Sequence, residues 1–127
     1  VTWDINGGLV FDEQAKEELF EELKKDYVSG VTFSGGDPFH LENREEIGAL
    51  AKEIREKFPD KTIWLYTGYE WEEICHLSFL SNIDVIVDGK FKIEEKDNNL
   101  HWKGSANQRV IDVKASLRAG EVRLYQE

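Results

Sequence analysis

The sequence predicts an α/β fold built on a mainly parallel sheet, and three observations predict it. Short runs of β-branched and large apolar residues alternate with amphipathic stretches of helical spacing. Three of those runs are followed at once by a glycine-containing turn. The 127 residues, 40% hydrophobic and 12% aromatic, suit one domain, residues 1–127, with its own core.

The elements follow in order. From Asp12 to Tyr27 the residues Ala15, Leu19, Phe20, Leu23 and Tyr27 keep the three-and-four spacing of one helical face. Asp12 is placed to cap that helix, and Ser29-Gly30 to stop it. Val31 to Ser34 reads as a short strand. A second helix starts near Asn43, with Glu46 three residues on as a capping-box partner. It buries Ile47, Leu50, Ala51, Ile54 and Phe58, and Pro59 ends it. Thr62 to Thr67 is the next strand, with Trp64 and Tyr66 expected in the core. A shorter helix over Glu70–Leu80, with Cys75 expected buried within it, leads to a third strand, Ile83–Val87. Short strands are expected at Arg109–Val113 and Glu121–Tyr125. Buried strands joined by helices imply parallel crossovers. The chain reads as opening on a helix, so the sheet is expected to lack a member.

Charge and composition narrow the function. With 16 Lys+Arg against 26 Asp+Glu the net charge is −10, which disfavours sequence-independent binding to nucleic acid or to anionic membranes. No apolar run reaches the ~20 residues of a membrane span, and the opening residues do not read as a leader. One cysteine excludes an internal disulfide or a thiolate cluster made by these residues alone, and the expected compartment is the cytoplasm. His40, His76 and His101 show no metal-ligand spacing.

Ligand sites of parallel α/β folds lie at the carboxyl ends of the strands. That rule selects Ser34-Gly35-Gly36-Asp37-Pro38, Thr67-Gly68-Tyr69 and Asp88-Gly89-Lys90. One such glycine turn is ordinary; three on one edge point to a site. The chemistry suggested is recognition of a zwitterion, with Asp37 and main-chain carbonyls taking an ammonium and Lys90 a carboxylate. Neither a phosphate-binding loop nor a dinucleotide fingerprint is present. Ser105-Ala106-Asn107-Gln108-Arg109 reads either as a surface turn or as a second ligand wall.

These segments resemble a known family. Gly30-Val31-Thr32-Phe33-Ser34-Gly35-Gly36-Asp37-Pro38 looks like the segment of radical S-adenosylmethionine (SAM) enzymes that binds the methionyl amino group. Trp64 to Tyr69, Val87 to Phe91 and Trp102 to Arg109 narrow the resemblance to the glycyl-radical-enzyme activases that serve anaerobic ribonucleoside-triphosphate reductase. It runs from Thr2-Trp3 to Tyr125, with four segments in the right order.

The resemblance implies a partial (βα) barrel holding SAM and a 4Fe–4S cluster. SAM would be cleaved reductively to a 5′-deoxyadenosyl radical that takes a hydrogen atom from a glycine of the reductase, with an electron donor such as flavodoxin. It further implies that Ser34, Gly35, Gly36 and Asp37 face the SAM amino group, with Thr67 on the same edge. Asp88 and Lys90 would lie near the SAM carboxylate. Ser105, Asn107, Gln108 and Arg109 would face SAM or the incoming glycyl loop. The family's C-x3-C-x2-C loop and the strand before it would fall upstream of Val1. The expectation is therefore a fragment inactive without that loop, or else a degenerate member that has lost its cluster. Two other functions stay open: a non-catalytic SAM- or reductase-binding module, and an activase of another glycyl-radical enzyme such as pyruvate formate-lyase.

Overall fold

The computed structural model describes residues 2–6, 13–26, 28–34, 44–89, 94 and 107–125. Five strands form one open sheet in the order β1-β2-β3-β4-β5. They are β1 Thr2–Asn6, β2 Gly30–Ser34, β3 Thr62–Tyr66, β4 Val85–Asp88 and β5 Arg109–Asp112. The first four run parallel and β5 is antiparallel to β4. Chain order and spatial order coincide, as expected when each crossover returns to the neighbouring position.

β1 corrects the expectation of a chain that opens on a helix. Thr2–Asn6 pairs in parallel with Gly30–Ser34 from Thr2↔Gly30 to Asn6↔Ser34. Its signal is weak in sequence because Trp3 and Ile5 alternate with polar residues over only five positions.

Helices α1 (Glu13–Leu23) and α2 (Arg44–Lys57) precede β2 and β3. Leu19 and Leu23 of α1, with Ile47, Leu50, Ala51 and Ile54 of α2, are buried in a cluster with Val31, Phe33, Ile63, Leu65, Ile86 and Ile111. Of the expected apolar faces, Leu19, Phe20 and Leu23 and then Ile47, Leu50, Ala51, Ile54 and Phe58 are packed. α1 stops at Leu23, earlier than expected, and Asp12, Tyr27 and Asn43 lie outside the described residues.

Strand alternation corrects the reading of Trp64 and Tyr66 as core. In β3, Ile63 and Leu65 are buried while Trp64 and Tyr66 are half-buried on the other face. Trp64 meets Tyr125 there, edge to face, with ring centroids 5.3 Å apart.

The third helix is shorter than expected. α3 covers Trp71–Ile74, and a 3₁₀ turn follows at Ser78–Asn82. Trp71, Ile74, Leu80 and Ile83 are buried and Leu77 packs against the same cluster. That spacing of three suits 3.0 residues per turn better than 3.6. Cys75 falls off this row and is exposed, against expectation.

After β5 the sequence reading missed helix α4, Val113–Ala119. Asp112 caps it by accepting from Ala115 N at 3.0 Å, and Gly120 closes it in the left-handed conformation (φ 72°). The strand expected at Glu121–Tyr125 reduces to one bridge, Leu124 to Ile111. No helix among the described residues is long and apolar enough to cross a membrane.

Candidate functional site

The parallel register brings the carboxyl ends of β2, β3 and β4 to one edge. Because β5 is antiparallel, its first residue joins them, and Asp88 is the register partner of Arg109. The end of β4 and the start of the last strand therefore meet, although 21 residues separate Asp88 from Arg109.

A cleft of about 430 Å³ opens at this edge. Its walls are Gly68, Glu70 and Glu73 on one side and Asp88, Gly89, Asn107 and Arg109 on the other. The lining carries three carboxylates and one guanidinium, a balance that favours a ligand with net positive charge.

Asp88 is 1% exposed and fully engaged. Its Oδ2 accepts from Trp71 N at 2.7 Å, at the start of α3. Arg109 donates to both of its oxygens, Nε to Oδ1 at 3.1 Å and Nη2 to Oδ2. The same guanidinium reaches outward to Glu72, with Nη2 2.8 Å from Oε1 and Nη1 3.4 Å from Oε2. Hydrogen bonds donated to the Asp88 and Glu72 carboxylates hold the Arg109 guanidinium protonated more firmly than usual. The reciprocal bond from Arg109 keeps Glu72 below the ordinary carboxylate range.

Three further contacts shape the turns. Thr67 is buried, and its hydroxyl accepts from Tyr69 N at 3.1 Å. Gly89 N donates to Tyr69 O at 2.9 Å, joining the turns after β3 and β4. Gln108 is buried and donates from Nε2 to Gly89 O at 2.9 Å. Gly89 itself holds φ at 90°, a conformation that side chains with a Cβ rarely adopt.

The structure thus brings together Thr67, Asp88, Asn107, Gln108 and Arg109 of the residues singled out from sequence. Asn107 and Arg109 line the cleft, while Thr67 and Gln108 brace the turns around it. Ser34 ends β2 on the same edge. Gly35, Gly36, Asp37, Lys90 and Ser105 lie outside the described residues. Sequence reasoning missed Glu72 and the capping box of Glu70 with Glu73, in which Glu70 N donates to Glu73 Oε1 at 3.0 Å. The Glu-x-x-Glu spacing before an apolar residue was a usable signal for the box. Nothing local in the sequence signals Glu72, because its partner lies 37 residues away.

The model of the 4Fe-4S single cluster domain family matches residues 1–111. An anaerobic ribonucleoside-triphosphate reductase-activating protein from Enterobacteria phage T4 is 43% identical over 109 residues, 86% of this chain and 69% of the relative. The chain belongs to this family of activating proteins. Family members from Haemophilus influenzae and Escherichia coli K12 are 38% and 37% identical over 113 residues, spanning 86% of this chain and 73% of each relative. No solved structure matches at a significant level.

The family model names a 4Fe–4S centre, and the residues at hand do not fit one. Cys75 is the single cysteine of the sequence, exposed just after α3, and such a cluster is held by several thiolates. Among the described residues no group of three or more His, Cys, Asp or Glu is arranged to hold a metal ion. No chemical step is therefore assigned to a cluster on these residues.

Proposed function

We propose that the protein acts in the activation of anaerobic ribonucleoside-triphosphate reductase, as a radical SAM activase with a partial (βα) barrel fold. In that reaction SAM takes up one electron, its sulfonium C–S bond breaks, and methionine and a 5′-deoxyadenosyl radical form. The radical then removes a hydrogen atom from a glycine Cα of the reductase, leaving 5′-deoxyadenosine and a glycyl radical. The electron comes from a donor such as flavodoxin. The contribution of this chain is to hold and orient SAM.

The observation that carries the reading is the 43% identity to a protein named for activating this reductase. Two physical features support it. The glycine-bearing segments after β2, β3 and β4 follow strands that share one edge. The cleft at that edge carries three carboxylates against one guanidinium, and SAM is a net cation with its sulfonium and ammonium against one carboxylate. In this reading Ser34 to Asp37 take the SAM amino group and Lys90 its carboxylate.

A second reading is a SAM- or reductase-binding module without redox chemistry. One experiment separates the two. The protein, expressed from its full reading frame, is incubated anaerobically with reductase, SAM and reduced flavodoxin. A glycyl-radical signal with 5′-deoxyadenosine supports the activase. Binding of SAM or reductase with neither product supports the module, and no binding of either overturns both.

A further inference from the structure

We propose that Arg109 is a positioning residue that holds the Asn107–Gln108 segment and the Gly89 turn in place through its pair with Asp88, and that it does not itself bind the ligand. The proposal rests on reading the strand-end cleft as the SAM site, and it changes the role that the resemblance implies for both residues.

The geometry is specific. A guanidinium that is to take a ligand carboxylate presents a planar fork to it. Here Nε and Nη2 donate to Asp88, and Nη2 and Nη1 reach Glu72, so carboxylates of the protein occupy the fork. Asp88 is equally committed, because Trp71 N uses one oxygen and Arg109 both. The pair ties three elements at one point: the start of α3, the end of β4 and the start of β5. Arg109 directly follows Gln108, whose side chain holds Gly89 O, and Gly89 directly follows Asp88. Displacing either member of the pair moves both sides of the cleft.

The Asp88 carboxylate would be left buried and unpaired if Arg109 alone were removed, which is more disruptive than removing both charges. Asparagine at 88 keeps an oxygen for Trp71 N and turns an amide toward position 109. A ligand-binding arginine behaves differently, because its loss persists whatever stands at 88.

The test uses the whole chain as Asp88→Asn, Arg109→Gln, the double variant and Glu72→Gln. SAM affinity is read by calorimetry, and the Gly89 and Gln108 amide resonances by ¹H–¹⁵N correlation. Arg109→Gln is expected to weaken SAM binding about tenfold or more and to shift both resonances. The double variant is expected to return the resonances and bring affinity to within about threefold of wild type. Glu72→Gln, a change at an exposed side chain, is expected to shift the Gln108 resonance with a smaller loss of affinity. A double variant that binds SAM as weakly as Arg109→Gln overturns the proposal, as do unmoved resonances in Arg109→Gln or Glu72→Gln. If Arg109→Gln does not fold, the double variant decides by the same affinity criterion. If wild type binds no SAM, the reading of the cleft fails, and the resonances alone support or overturn the positioning role.

Discussion

Arg55 near the end of α2 and Asp84 just before β4 pair at 2.6 Å, at the end of the sheet opposite the cleft. Arg55 also donates to Pro59 O, Lys61 O and Asn82 O, so one side chain ties the segments entering β3 and β4. Asp84 in turn accepts from Ile63 N at 2.7 Å. Two half-buried charged groups thus close the end of the sheet opposite the proposed ligand cleft, where the role expected of them is stability.

Replacing Arg55 by Met should destabilise the fold by about 1–3 kcal/mol, since it leaves Asp84 and three carbonyls short of a donor. SAM affinity of the folded fraction should be unchanged. Urea unfolding with calorimetry checks both, and a loss of affinity at unchanged stability would contradict that role.

Gly30 is required by the spacing of β2 and β3. A Cβ built there lies 2.2 Å from the main-chain oxygen of Thr62, which cannot move without displacing β3. Gly30→Ala should cost about 1–3 kcal/mol, as overpacking does. The measurement is the urea midpoint; an unchanged midpoint means the strands can part at that register.

Acid should weaken two ion pairs in a known direction. Glu53 lies below the ordinary glutamate value of 4.5 chiefly through its hydrogen bond from Lys16, and Glu72 chiefly through Arg109. Depressed carboxylates stabilise the fold fully above about pH 4.5, and that contribution is lost as pH falls through their lower folded values. Both are partly exposed, so each contributes less than about 1 kcal/mol and less in high salt. Melting temperatures at pH 6 and pH 3 for wild type, Glu53→Gln and Glu72→Gln check this: the variants should show a smaller acid loss.

On the proposed function, Asp37→Asn should weaken SAM binding about ten- to hundred-fold, the loss of one charge-assisted hydrogen bond of about 1.5–3 kcal/mol. Reductase binding should persist. Calorimetry with each partner checks it, and unchanged SAM affinity would take Asp37 out of the site.

The class of fold, β2, β3 and β4, the packed faces of α1 and α2 and the shared edge were legible in the sequence, because apolar periodicity and glycine turns are local signals. Family membership was legible too, in segments such as Trp64 to Tyr69 and Val87 to Phe91. The tertiary structure alone decided the rest. β1 forms because β2 offers an edge to pair with, and Trp64 faces away from the helices because alternation places Ile63 and Leu65 inward. Glu72, Asp88 and Arg109 meet only because antiparallel β5 returns its first residue to the end of β4. A charge pair formed across 21 or 37 residues leaves no periodicity to read, since the chain must first close the sheet before the two carboxylates find their guanidinium.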